Sequence, residues 1–237
     1  MYDFRDNRST ALALLDFLEK LGTATDKKCL TVGVVIDLKQ AFDTIDHSLL
    51  LEKLSHYGLR GIASSWIKSY LHNRKHFINF NGVNSDILDV VCGVPQGSIL
   101  GPKLFILYIN DLCNISKILD LIIFADDTNI FCTGDNLMEL CNKVSGEMNK
   151  LNVWFAINKL SLNVSKTNFM VFSRSLRNMP CKVYINEVEI ERVYITKFLG
   201  VYIDAELSWE TQIVNVKNKL FRNIAVMKKV KLLLTAL

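Results

Sequence analysis

The sequence predicts an α+β fold, an antiparallel sheet backed by helices. Three observations lead there. Half of the 237 residues are hydrophobic, enough for a sizeable core, and the charged fraction of 22% is that of an ordinary globular chain. Short Val/Ile-rich runs and longer amphipathic stretches are mixed without strict alternation, which disfavours a doubly wound parallel sheet. No low-complexity linker or repeat interrupts the chain, and its three prolines stand at Pro95, Pro102 and Pro180.

Residues 9–21 (STALALLDFLEKL) have a helical pattern, with Ser9 or Thr10 as cap and Gly22 just past the end. CLTVGVVID is too short for a firm helix and rich in Val and Ile, so it reads as a buried strand ending in Asp37. Residues 48–57 form a helix stopped by Gly58. A second amphipathic helix puts Ile62, Trp66, Ile67, Tyr70 and Leu71 on one face. HFINFNGVNSDILDVV gives two strands joined around Asn81-Gly82. GVPQGSILGP is a Gly/Pro loop leading into a helix over KLFILYINDL. LDLIIFADDTNIFC sets two acids between apolar strands, a hairpin with Asp126-Asp127 at its tip. A long helix follows, with Leu137, Leu140, Val144, Met148, Leu151 and Phe155 at three- and four-residue steps. NFMVFS, KVYI, VEIE and KFLGVYI are further strands, and the stretch after Trp209 is helical.

The net charge is +4, unevenly spread: beyond residue 210 lie six basic residues and no acid. A basic tail on a near-neutral body suits a polyanionic partner, although a solvated helix face has the same composition. The six cysteines include no Cys-x-x-Cys and no zinc spacing. With a polar, charged N-terminus in place of an export signal, they read as reduced thiols of an intracellular protein, nucleus or cytoplasm unresolved. No apolar run approaches the roughly 20 residues of a membrane span. His72 and His76 straddle a helix end and read as surface residues rather than metal ligands.

Adjacent aspartates between apolar strands repel each other. They are tolerated at an exposed turn or where a cation neutralises them. The turn is sufficient for Asp126-Asp127 alone. Asp37 shifts the balance, because it too ends an apolar strand. Strands that deliver acids at the same end can lie side by side, and three convergent carboxylates make an all-oxygen site suited to Mg²⁺ or Mn²⁺. Such a site can hold two ions for in-line phosphoryl transfer. Up to this point a polymerase, a nuclease and a cyclase are equally compatible.

The motifs DLKQAFDTIDH, GVPQGSILGP and FADDTN, in that order, closely resemble those of reverse transcriptases, best those of non-LTR (LINE-type, jockey-like) retrotransposons. The resemblance runs from FRDNRST near the start to KFLGVYID and the basic helix beyond. It implies a polymerase palm, with partial fingers over residues 1–30, palm with an inserted fingers segment over 31–205, and the start of a thumb over 206–237. It implies an RNA template, a DNA primer and dNTPs as partners, and two Mg²⁺ ions (Mn²⁺ as substitute) held by Asp37, Asp126 and Asp127. Leu38 would lend a backbone carbonyl to a metal. Phe42 matches the bulky residue that excludes a ribose 2′-hydroxyl, while core packing is its plainer role. Pro95, Gln96 and Gly97 match the loop that meets nucleotide and template. Glycines at Gly93, Gly97 and Gly101 would let backbone approach a ligand. The loop is no Walker A, since GSILGPK lacks that spacing and its Ser/Thr.

Lys166, in LNVSKTNFM, matches a lysine that protonates the leaving pyrophosphate. Phe198, Leu199 and Gly200 match the primer grip, and Lys217, Lys219 and Arg222 open a thumb helix that contacts phosphates. Relative to the family, fingers sequence upstream, a fuller thumb and an endonuclease are lacking, so the chain reads as a fragment. Besides an RNA-directed DNA polymerase, the readings left open are a truncated, non-catalytic nucleic-acid-binding remnant, an inert fragment, and an RNA-dependent RNA polymerase. Phe42 and PQGSILGP disfavour the last.

Overall fold

Leu-Thr-Val-Gly-Val-Val-Ile is β-branched at most positions, and it forms β1 (Leu30–Ile36), the middle strand of the main sheet. The structure, a computed structural model, describes residues 9–124, 127–173 and 179–234. The other strands of this sheet are β2 (Asp120–Phe124), β3 (Asp127–Gly134), β4 (Asn168–Phe172) and the short β5 (Glu191–Arg192), in the order β5-β4-β1-β3-β2. β1 runs antiparallel to both β3 and β4, and β2 is antiparallel to β3. Among the described residues only the edge pairing of β5 with β4 is parallel.

Successive side chains of a strand point to opposite faces, and the two faces here bury different cores. Val32, Val34 and Ile36 of β1, Ile130 and Cys132 of β3, and Phe169 and Val171 of β4 meet α2 (His47–His56), α4 (Leu100–Ile109) and α5 (Leu137–Ile157). Between α2 and α4 the chain forms α3 (Ile62–Leu71), which packs on α2. Phe131, Met170 and Phe172 of the opposite face meet α1 (Thr10–Asp26) and the hairpin of β6 (Ile195–Phe198) and β7 (Val201–Asp204). Both faces of the sheet are therefore covered, the second by α1 and the β6–β7 hairpin. α1 presents Ala13, Phe17 and Leu21 at four-residue steps to the second face. The Phe17 ring lies 4.4 Å from Phe131 and 5.1 Å from Phe198, so helix, sheet and hairpin share one aromatic knot.

Behind the first face, Lys53 ties three helices together. Its Nζ donates to the Tyr108 carbonyl (2.7 Å) and to Asp111 Oδ1 (2.6 Å), and Trp154 Nε1 donates to the other carboxylate oxygen of Asp111 (3.2 Å). Tyr108 Oη donates to the Asn158 carbonyl at 2.7 Å, and burial pushes its pKa up to about 12.

Several boundaries move. α1 is capped by Ser9, as expected, but continues through Gly22 to Asp26, because Ala24 still has core to cover. α4 begins at Leu100 rather than Lys103. Pro102 fits within its first turn, where no backbone donor is needed. Asn81 and Gly82 turn with φ of 49° and 80°, the two left-handed residues of a tight hairpin turn, but the strands beside them are only two residues long. NFMVFS forms a strand as expected, KFLGVYI contributes to the two strands of a separate hairpin, and α6 (Glu210–Leu234) forms after Trp209. Among the described residues no helix is long and apolar enough to cross a membrane. All six cysteines are free thiols.

Candidate active site

The geometry of β1 and β3 brings two of the three aspartates together. Ile36 pairs with Thr128, so Asp37 and Asp127, each the next residue beyond that pair, stand at the same end of the β1–β3 ladder. Asp127 is itself the first residue of β3 and pairs with Phe124 of β2. Asp126 lies outside the described residues, as do Arg5 and most of FRDNRST. Among the described residues no group of three or more His, Cys, Asp or Glu is placed to hold a metal ion.

Asp37 is half-buried and held from three sides. Its backbone N–H donates to Thr167 Oγ1 (3.3 Å), its carbonyl accepts from the Asn163 N–H (2.8 Å), and its Oδ2 accepts from Asn163 Nδ2 (2.8 Å). One carboxylate oxygen is thus oriented by an amide, and Oδ1 has no hydrogen-bond partner among the described residues. Asn163 and Thr167 escaped the sequence reading. The only pointer to them was their place on either side of Lys166 in LNVSKTNFM. Lys166 is exposed, in the turn closed by its own N–H on the Asn163 carbonyl (3.1 Å). It therefore sits next to the two residues that hold Asp37.

The stretch that follows Asp37 is zipped to the Gly/Pro loop. Val94 N–H donates to the Phe42 carbonyl (2.9 Å) and Gly93 N–H to the Ile45 carbonyl (2.8 Å). Gln96 Nε2 donates to Asp43 Oδ1 at 2.8 Å. Gly93 has φ of 81°, and a Cβ there would meet the Asp43 carbonyl oxygen at 2.7 Å, so the close approach requires glycine twice over. Gly97 also has positive φ, 78°, but open space around it. Ser98 Oγ donates to the Pro95 carbonyl (2.7 Å) and accepts from Gly101 N–H (2.9 Å), closing the loop onto the start of α4. Phe42 is half-buried and stacks on Phe105 of α4, centroids 4.5 Å apart. Leu38 is buried in the core, which leaves only its backbone to face a ligand.

Asp46 caps α2 by accepting from Leu49 N–H (2.9 Å). The Lys159 ammonium at 2.6 Å and that N–H hold its carboxyl below the usual range.

The remaining site residues separate. Phe198 is buried on the sheet and points away from solvent, while Leu199 and Gly200 make the hairpin turn with φ of 47° and 88°. Along α6, at 100° per residue, Lys219 and Arg222 share one side. Lys217 lies among Ile213, Val216, Leu220 and Phe221, with Nζ 5.8 Å from the Phe221 ring. The three cations do not form a single stripe. His72 and His76 are exposed.

The solved telomerase of Candida tropicalis in complex with a TWJ fragment of telomeric RNA superposes with a TM-score of 0.58, at 11% identity over 89% of this chain and 34% of that one. The apo enzyme truncated from its C-terminal domain gives 0.55, at 15% identity over 84% and 39%. The fold is a polymerase palm. The chain belongs to the reverse transcriptase (RNA-dependent DNA polymerase) family, whose model matches residues 1–203. It is 28% identical over 234 residues to the probable RNA-directed DNA polymerase from transposon X-element of Drosophila melanogaster, across 94% of this chain and 25% of that protein. It is 26% identical over 211 residues to the RNA-directed DNA polymerase from mobile element jockey of Drosophila funebris, across 86% and 23%. These are the non-LTR retrotransposon enzymes that the motifs resemble. The chain spans about a quarter of their length.

Proposed function

We propose that this chain is the palm-centred part of a retrotransposon RNA-directed DNA polymerase, which adds dNTPs to a primer 3′-hydroxyl annealed to an RNA template. The observation that carries this reading is the register that brings Asp37 and Asp127 to the same end of the sheet, with the loop of Pro95, Gln96 and Gly97 bonded to the segment that follows Asp37. Residues 1–30 are then partial fingers, 31–205 palm with an inserted fingers segment, and 206–237 the start of a thumb.

The donor set suits two hard divalent ions, Mg²⁺ or Mn²⁺, since the carboxylates of Asp37, Asp126 and Asp127 and the Leu38 carbonyl are all oxygen ligands. Asn163 orients one oxygen of Asp37 and leaves the other for a ligand. When bound, the ions lower the pKa of the primer hydroxyl and neutralise charge on the triphosphate. The chain's own residues do the rest. Phe42, braced by Phe105, closes the space beside the sugar. The Pro95–Gly97 loop meets the base and template, and Lys166 delivers a proton to the departing pyrophosphate. The turn of Leu199 and Gly200 supports the primer, anchored through Phe198 to the aromatic knot. Lys219 and Arg222 reach phosphates.

The test is Mg²⁺-dependent primer extension on an RNA template, with this chain beside a longer one that restores both flanks. Extension by dNTPs in preference to NTPs, abolished by Asp126→Asn, is the expected result. Salt-dependent binding with no extension by either chain would sink the polymerase reading and leave a nucleic-acid-binding remnant.

A further inference from the structure

His47 has no part in the chemistry above, yet it is 7% exposed and lies at the first turn of α2. Its Nε2 is 2.8 Å from the Gly93 carbonyl oxygen. A carbonyl only accepts, so Nε2 carries the hydrogen and donates it. The same Gly93 gives its N–H to the Ile45 carbonyl at 2.8 Å. Both backbone polar groups of this one residue are therefore gripped by the segment that follows Asp37. The next peptide N–H, that of Val94, is held by the Phe42 carbonyl at 2.9 Å. Downstream, Val94 is buried and Pro95 and Gln96 emerge toward the open side of the loop.

We infer that His47 is a positioning residue for the nucleotide-and-template loop. Through Nε2–H it sets the plane of the Gly93–Val94 peptide, and that plane aims Pro95, Gln96 and Gly97 relative to Phe42 and Asp37. The inference rests on the polymerase reading for its consequence, but the hydrogen bond that carries it is observable without activity. Without the donor, the Gly93 carbonyl is left buried and unsatisfied, and the Gly93–Val94 peptide is held by the Val94 N–H bond to Phe42 alone. The acids, whose strands pair independently of the loop, stay where they are. The loss therefore falls on nucleotide binding rather than on the chemical step.

The experiment compares the unaltered chain with His47→Met, which fills the space without a donor, and His47→Gln, whose Nε2 offers one at a similar reach. Amide hydrogen exchange is read at Gly93 and Val94, with β1 as control. In the Met variant, exchange at the two loop amides rises on the order of tenfold, as expected for one lost hydrogen bond, and β1 is unmoved. In primer extension by the longer chain, KM for dNTP rises on the order of tenfold with kcat within about threefold, and Gln recovers most of it. Should the Met variant not fold, the imidazole ¹⁵N spectrum of the unaltered chain decides. A protonated, slowly exchanging Nε2 supports the inference, and an unprotonated Nε2 overturns it. Unchanged loop exchange in a folded Met variant, or a fall in kcat with KM unchanged, also overturns it. Absence of extension by the unaltered chain speaks against the polymerase reading alone, and the exchange result still judges His47.

Discussion

Replacing Gly93 by alanine tests how tightly the loop is built onto the segment after Asp37. Two effects add. A side chain at φ of 81° costs about 1–2 kcal/mol relative to glycine. The new Cβ would also lie 2.7 Å from the Asp43 carbonyl oxygen and 2.8 Å from its Cα. Backbone atoms cannot swing aside, so the loop must lift. That strains the hydrogen bonds from Gly93 N–H to Ile45 and from Val94 N–H to Phe42, each worth about 1 kcal/mol net. The expected loss is therefore about 3–4 kcal/mol. Gly97 is the internal control. Its φ of 78° is nearly the same, but nothing lies within 4 Å of a Cβ there, so Gly97→Ala carries only the conformational part, about 1–2 kcal/mol. Equilibrium urea unfolding of both variants, with unchanged m-values, gives the two losses. Their difference, about 2 kcal/mol, measures the close approach alone. Equal losses would refute the packing argument, and so would a loss at Gly93 below about 0.5 kcal/mol, the size of an ordinary surface change.

Three further outcomes follow from the same geometry. Phe42→Val opens the space beside the sugar while removing the stack on Phe105. The preference for dNTP over NTP should fall by at least about tenfold, the range of a lost steric contact, and an unchanged ratio in single-nucleotide incorporation would leave Phe42 as packing only. Asp46→Ala removes the α2 cap, at about 1 kcal/mol near neutral pH by urea unfolding. Because the native Asp46 carboxyl is held below the ordinary 3.8 by Lys159 and the Leu49 N–H, its contribution is present above that value and lost as pH falls through the native one. The variant should accordingly lose stability less steeply on acidification, and a parallel pH curve would contradict the assignment. Lys219→Ala with Arg222→Ala should flatten the dependence of log binding constant on log salt by about 0.7–0.9 per contact. An unchanged slope would remove α6 from phosphate contact.

The kinds of element and their rough places are written into local composition and periodicity. Val/Ile-rich runs became β1 and the strands around FADD because β-branched side chains fit a pleated, buried surface. Three- and four-residue steps became α5 because they make one apolar stripe. The sequence also determined which residues were candidates for chemistry, since motifs are local in the chain and their spacing survives without a structure. Boundaries were less legible. α1 ran past Gly22 because burial of Ala24 outweighed a glycine's helix penalty, and α4 started before Pro102 because its first turn needs no donor. Such outcomes depend on neighbours distant in sequence.

What stands beside what depends on the folded arrangement. The two-residue period of a strand says that Asp37 and Asp127 point to some face, but the pairing of Ile36 with Thr128 is what brings them to the same end of the ladder. Asn163 and Thr167 lie more than a hundred residues from Asp37 in the chain, and β4 brings them back because it pairs with β1 along its length. His47 looked like the last letter of a motif, and its hold on Gly93 appears only where helix and loop meet. Phe198, which matches the primer grip, packs against Phe17 because an aromatic ring gains more there than against water, and only the fold shows that partner. Hydrogen bonds and ring contacts act over a few ångströms of space, and the chain has no local record of which distant residues will fall within that range.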